Sequence, residues 1–210
     1  MGEKSDNLNN MTIKAFAVID TNVIVSALTS SLEESAVSKV ADLIDSKTII
    51  PLYDERILSE YYEVLNYKKF GFLPEVVEKQ MTKILSKGIF VSDVKQIDIC
   101  FKDETDIPFF EVMMDTQELG SSLVTGNIKH YPEGSCVTPQ QLLSNLAYME
   151  NFVVPLKHTD YENMVEEKIL QLTSTGKYFL GNLLPKEFIK EIKKQRLKPR
   201  EHISISDYVK

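Results

Sequence analysis

Asp20, Glu60, Asp106 and Asn127 are the residues of this chain whose types and placement suit chemistry. Asp20 closes a short apolar run, Ala15 to Ile19, of the length of a strand buried on both faces. Asp20 and Asn22 are poor strand residues and good turn or cap residues, so the chain leaves a central strand where it presents a carboxylate. Glu60 lies on a segment in which Ile57, Leu58, Tyr61, Val64 and Leu65 form one apolar stripe at ~100° per residue. Glu60 falls at the margin of that stripe, and Glu55 and Glu63 point away from it. Asp106 starts an apolar helix, beside backbone N–H groups, and Asn127 ends a later strand. Carboxylates gathered at one sheet edge repel each other and lose hydration, so they protonate or recruit a cation. Hard oxygen ligands with open positions suit Mg²⁺ or Mn²⁺ rather than zinc. Such ions activate water and stabilise both oxygens of an in-line phosphodiester displacement. The chemistry implied is that of a metal-dependent nuclease or phosphatase.

Around these positions, Thr21, Asn22 and Thr125 are placed to orient carboxylates or the attacking water by hydrogen bonds, or equally to satisfy the backbone of their own turns. Asp103 and Glu104 are outer-shell candidates whose plainer role is that of loop acids. Asp106 as a helix cap and Asn127 as a turn residue are plain readings too, and capping is compatible with metal binding. His130 has no neighbouring Cys or His to suggest zinc and reads as a surface residue.

The elements that must position these residues follow from the pattern. Ser31-Leu-Glu-Glu34 has the form of a capping box opening a helix to about Ser46. Thr48 to Tyr53 reads as a second strand despite Pro51. Asp54 caps a helix to about Tyr67, and Pro74 begins another to about Lys87, ended by Gly88. Ile89 to Val91, Ser122 to Val124 and Cys136-Val137 are short strands. Pro108 is tolerated in the first turn of the Asp106 helix, whose Phe and Met residues cover most of its circumference and make it a core helix. Thr138-Pro139-Gln140-Gln141 opens the next helix with a capping box. Strand and helix alternate, which predicts a three-layer α/β/α domain with a parallel sheet of four or five strands and all strand exits on one edge. Ligands bind at that edge in open α/β sheets.

From Pro155 the pattern changes to two helical stretches, about Asp160 to Leu172 and Pro185 to Leu197, without strand partners. Residues 1–11 therefore read as a flexible lead-in or tag, 12–150 as the catalytic domain and 151–210 as a mostly helical extension placed to cover the site or complete a dimer. The net charge of −7 is uneven: 11 Lys and Arg face 8 Asp and Glu from Pro155 onward, against 13 and 23 before it. An acidic body excludes a broad nucleic-acid grip and leaves local contacts, with divalent cations supplying attraction. The basic run Lys190 to Arg200 reads as a solvated helix face, with an RNA contact or docking onto the acidic body of a neighbouring chain as alternatives. Two isolated cysteines are neither a disulfide framework nor a zinc site. No apolar run reaches membrane-span length and the polar start is no signal peptide, so a cytoplasmic protein without membrane partners is expected.

At these residues the chain resembles the PIN-domain ribonucleases, specifically the toxin components of toxin–antitoxin pairs. The matching segments are Val18-Ile-Asp-Thr-Asn-Val-Ile-Val-Ser-Ala-Leu28, Ile57-Leu-Ser-Glu-Tyr-Tyr-Glu-Val-Leu65, Lys102-Asp-Glu-Thr-Asp-Ile-Pro-Phe-Phe110, Leu123-Val-Thr-Gly-Asn-Ile-Lys-His-Tyr-Pro132 and Val137-Thr-Pro-Gln-Gln-Leu-Leu143. The resemblance covers about residues 12 to 147. It implies a PIN-like fold, an Mg²⁺ or Mn²⁺ site held by Asp20, Glu60 and Asp106, endonucleolytic cleavage of RNA, an antitoxin protein as partner, and frequent homodimers. Where the family carries Thr-Gly-Asp, this chain has Thr125-Gly126-Asn127, which predicts weaker binding of a second metal ion and slower catalysis. One alternative is a catalytically weak or inactive PIN-like module that binds RNA or protein. Another, a haloacid-dehalogenase-type phosphatase, wants a second Asp two residues after Asp20, where Asn22 stands.

Overall fold

A computed structural model of the chain describes residues 14–99, 101–152, 166–167, 169–195 and 205, with the side chains of 150–152 left aside. The expected lead-in at 1–11, Cys100, most of the helical stretch at 160–172 and the end of the basic run lie outside these residues.

Strands and α-helices build the described fold. In chain order the main ones are β1 (Ala15–Ile19), α1 (Thr21–Thr29), α2 (Ala36–Asp45), β2 (Ile49–Tyr53), α3 (Glu55–Leu65), α4 (Pro74–Lys87) and β3 (Ile89–Val91). There follow α5 (Ile107–Asp115), β4 (Ser122–Val124), β5 (Cys136–Val137), α6 (Pro139–Phe152), β6 (Tyr178–Leu180) and α7 (Lys186–Ile192). Residues 166–167 and 169–173 are helical as well. The sheet order is β5-β4-β1-β2-β3-β6. The first five strands are mutually parallel, and β6 runs antiparallel to β3. Helices cover both faces, giving the three-layer α/β/α architecture. Ala17, Val18 and Ile19 are at most 2% exposed, which is why β1 reads as an unbroken apolar run.

Two expectations are corrected. The helix after β1 begins at once: Asp20 caps α1, its side chain accepting from the Asn22 N–H. The second helix is then capped by Ser35 and not by Ser31, because residues 30–35 must turn the chain between two helices. Ser35 Oγ accepts from the Ser38 N–H at 3.2 Å, and Glu34 of the expected box pairs instead with Lys39 at 2.7 Å. The second correction concerns the sheet and the C-terminal region. Residues 178–180 form a sixth strand, and the Ser92 N–H donates to the Lys177 carbonyl at 2.8 Å. Phe188 of α7 meets Phe90 edge-on at 5.3 Å and is fully buried. The strand eluded the sequence pattern because three residues of which one is fully buried carry no clear alternation.

The expected caps at Asp54 and Thr138 hold. The Asp54 carboxylate accepts from the Ile57 N–H at 3.0 Å, and Thr138 and Gln141 exchange the two bonds of a capping box at 2.8 and 3.1 Å. Pro51 sits in a central strand because β3 pairs with β2 only from Leu52 onward. Gly88 lets the two approach: a Cβ there would lie 2.6 Å from the Pro51 carbonyl oxygen. Cys136 is a free thiol on β5. No described helix is long and apolar enough to cross a membrane.

Candidate metal centre

β1 has β2 on one side and β4 on the other, so the winding reverses at the β1–β4 seam. A crevice opens outside the strand ends at such a reversal. Asp20 and Thr125 leave the two strands there. The Asp20 N–H donates to the Val124 carbonyl at 2.9 Å, and the Thr125 N–H to the Val137 carbonyl at 2.9 Å, which pins both turns to the sheet.

Each oxygen of Asp20 is held. Oδ1 accepts from the Asn22 N–H at 3.0 Å, and Oδ2 from Thr125 Oγ1 at 2.7 Å with Tyr131 OH at 3.2 Å. Thr125 is fully buried, and its hydroxyl in turn accepts from Asn22 Nδ2 at 3.1 Å and the Asn127 N–H at 2.9 Å. The Gly126 N–H donates to Asn22 Oδ1 at 2.9 Å, an approach that a Cβ at Gly126 would crowd at 3.2 Å. Asn22 thus ties the two strand-end turns together.

Glu60 enters from α3. The neighbouring Tyr61 hydroxyl donates to the Ile19 carbonyl, which docks α3 on the end of β1. Thr21 Oγ1 donates to Glu60 Oε1 at 2.6 Å, while Oε2 is buried with no hydrogen-bond partner among the described residues. Asp106 precedes α5. Its Oδ2 lies 2.9 Å from His130 Nδ1, and its Oδ1 accepts from Tyr131 OH at 3.3 Å. Asp103 accepts from the Thr105 N–H and hydroxyl at 3.0 and 2.8 Å, so it closes the turn that presents Asp106. Glu104 is exposed beside it.

Electrostatics follow from this burial. Desolvation pushes the Asp20 and Asp106 carboxyls up, against the hydrogen bonds that Thr125 gives the one and His130 the other. Glu60 is pushed up to about 8, first by desolvation and then by the charges of Asp20, Asp106 and Asp103. Burial and the charges of Asp20, Asp106 and Glu60 push the Tyr131 phenol up, so its hydroxyl stays a donor.

The expected residues therefore converge, with different parts. Asp20, Glu60 and Asp106 share one desolvated cluster with Thr21, Asn22 and Thr125 bonded to it. Asn127 enters through its backbone N–H, and Asp103 through the turn it caps. Sequence reading missed Tyr131, which bridges Asp20 and Asp106, and placed His130 on the surface although it holds Asp106. The available signal was position: both follow the strand-end Thr125 by only a few residues, so their turn cannot leave the crevice.

Hard carboxylate oxygens, mutual repulsion and an unpartnered Glu60 Oε2 fit a divalent cation in kind. Among the described residues no three His, Cys, Asp or Glu side chains already stand as a complete ligand set. Mg²⁺ does not require one, since it is often held through one or two carboxylates and keeps several waters.

A doubly wound sheet with a buried acid cluster at its switch point defines the class: an α/β domain with an acidic crevice outside its strand ends. A family model described as PIN domain matches residues 17–129, over half of the chain, and the chain belongs to that family. PIN domains are in general metal-dependent nucleases. The chain matches no curated protein and no solved structure.

Proposed function

We propose that the protein is an Mg²⁺- or Mn²⁺-dependent endoribonuclease acting as the toxin component of a toxin–antitoxin pair. The observation that carries the metal-dependent reading is Glu60 Oε2, a buried carboxylate oxygen without a hydrogen-bond partner among the described residues, in a cluster of three desolvated acids. An unmet acceptor there is costly unless a cation or its water meets it. Asp20, Glu60 and Asp106 would hold the metal, which supplies an activated water and charge neutralisation for attack on a phosphodiester. Thr125 and Asn22 hold Asp20 in one orientation, Thr21 does the same for Glu60, and His130 for Asp106. Tyr131 offers its single proton to Asp20 and Asp106 and so offsets part of their repulsion. Water attack on phosphorus with departure of the 3′ oxygen leaves a 5′-phosphate and a 3′-hydroxyl. The antitoxin partner and a homodimer rest on the resemblance alone.

Calorimetric titration of Mn²⁺ into wild type and an Asp20→Asn, Asp106→Asn double variant, with RNA cleavage followed on the same samples, tests this. Binding and cleavage both vanish in the double variant if the cluster is the site. Wild type that neither binds Mn²⁺ nor cleaves RNA sinks the reading.

A second reading, a weak or silent module, is favoured by Asn127, which brings no charge and meets Thr125 through its backbone N–H. Asn127→Asp distinguishes the two. A large gain in cleavage identifies a weakened enzyme, and a folded but silent variant identifies a binding module.

A further inference from the structure

The turn that leaves α3 combines rings and lysines: Asn66-Tyr67-Lys68-Lys69-Phe70-Gly71-Phe72-Leu73. It is a built surface. The Tyr67 N–H donates to the Val64 carbonyl at 3.0 Å, the Phe70 N–H to the Tyr67 carbonyl at 3.0 Å, and Gly71 takes the left-handed conformation that closes the turn. Phe70 and Phe72 stack at 5.7 Å with their planes 18° apart. Tyr67 OH donates to Glu63 Oε1 at 3.1 Å, which fixes the ring with 39% of the residue exposed. Lys69 Nζ lies 4.8 Å from the Phe70 ring centre and 5.4 Å from that of Tyr67. Lys68 and Lys69 are exposed, and among the described residues neither forms an ion pair with a carboxylate.

This turn leaves the helix that carries Glu60: Tyr67 stands two residues beyond the end of α3 and seven after Glu60. The charge of Glu60 contributes, after burial and Glu63, to raising the Tyr67 phenol. Closing the turn on itself explains Lys69 between its rings. It does not explain an exposed Lys68 and a held, exposed Tyr67 on a chain of net charge −7. A groove that tracks single-stranded nucleic acid combines these two features, cations for phosphates and rings for unpaired bases.

We propose that residues 66–73 grip single-stranded RNA for the site, Lys68 and Lys69 taking backbone phosphates and Tyr67 stacking on an unpaired base. The inference rests on the nuclease reading for its substrate and on the turn's own geometry for its place. A base paired in a duplex offers no open face to Tyr67, so duplex RNA binds more weakly.

The test is fluorescence anisotropy of a labelled oligoribonucleotide, single-stranded or annealed to its complement, on the full chain and on Lys68→Ala/Lys69→Ala and Tyr67→Ala variants. An Asp106→Asn variant and Mn²⁺ calorimetry accompany each. The lysine variant is expected to lower the logarithmic salt slope of single-strand binding by about 1.4, at about 0.7 per phosphate contact. Tyr67→Ala is expected to weaken it roughly fivefold or more. Mn²⁺ affinity stays at the wild-type value in both, and the Asp106→Asn variant keeps its grip while losing cleavage. Single-strand binding left intact by both turn variants overturns the grip even where cleavage is present. So does equal binding of duplex, or binding of an acidic peptide in preference to RNA. Loop-dependent binding by a protein that never cleaves keeps the grip and overturns the nuclease reading instead.

Discussion

Glu60 differs from an ordinary helix-surface glutamate because its neighbourhood, not its type, sets its charge. Its carboxyl titrates at about 8 in the metal-free protein, above the ordinary 4.5. The folded state then binds a proton that the unfolded chain releases, so this group favours folding below about pH 4.5. That contribution is lost as pH rises through about 8. Metal-free protein should therefore lose thermal stability between about pH 5 and about pH 8, and Glu60→Gln should flatten the loss, as read by calorimetric melting. Mn²⁺ affinity should climb over the same interval, because the ligands must be deprotonated to bind. Tyr131→Phe makes a separate claim. Removing a hydroxyl that donates to two buried carboxylates should destabilise the protein by about 1–2 kcal/mol near pH 8. The loss should shrink as pH is lowered and these acids, whose carboxyls burial pushes up, take up protons; urea titrations near pH 8 and at lower pH compare them.

Among the elements, α3 carries the most burden. Its face with Glu60 and Tyr61 closes the site, and its first turn is locked into the core by Arg56. That guanidinium donates to Asp54 Oδ2 at 2.7 Å from Nε and to Glu111 Oε2 at 2.5 Å from Nη1, with all three residues at most 6% exposed. Glu111 also accepts from the Ile97 N–H at 2.7 Å, so one cation joins α3, α5 and the loop after β3. Arg56→Ala would leave two buried acids unpaired and should lower stability by about 3–5 kcal/mol, measurable as a reduced urea midpoint. It should also lower Mn²⁺ affinity, since α3 carries Glu60. An unchanged midpoint would show that water replaces the guanidinium.

At the scale of the whole molecule, the sheet is completed from the far end of the chain. Gly181 follows β6 against Tyr53, where a Cβ would lie 1.9 Å from the phenol oxygen and 2.4 Å from the Leu85 carbonyl. Phe188, Leu184 and Ile192 join the core that Phe90 and Tyr53 begin. Phe188→Ala should lower stability by about 3–5 kcal/mol, the range for a buried phenylalanine. Removing residues from about Pro155 onward should yield a protein that melts early or fails to fold, not one with an unmasked site. A cooperative wild-type melt from the truncated chain would refute this.

The chain by itself determined the local elements and the chemistry at their ends. Apolar runs of strand length, capping residues such as Asp54 and Thr138, and acids at strand exits are all written within a few residues of each other. Short-range physics fixes them, so β1, α3, α4 and β4 were legible, as were Asp20, Glu60 and Asp106 as candidates. Ser35 as a cap was not legible, because a serine-rich turn offers several equivalent hydroxyls. The tertiary structure decided which strands lie side by side, and so placed the switch point between β1 and β4. It decided that Tyr131 and His130 meet the acids, contacts that span 24 to 111 residues of chain. It also decided the antiparallel β6, whose partner lies nearly ninety residues away. Only closure of those long loops, favoured by burial of the shared core, brings such groups together, and no local pattern records it.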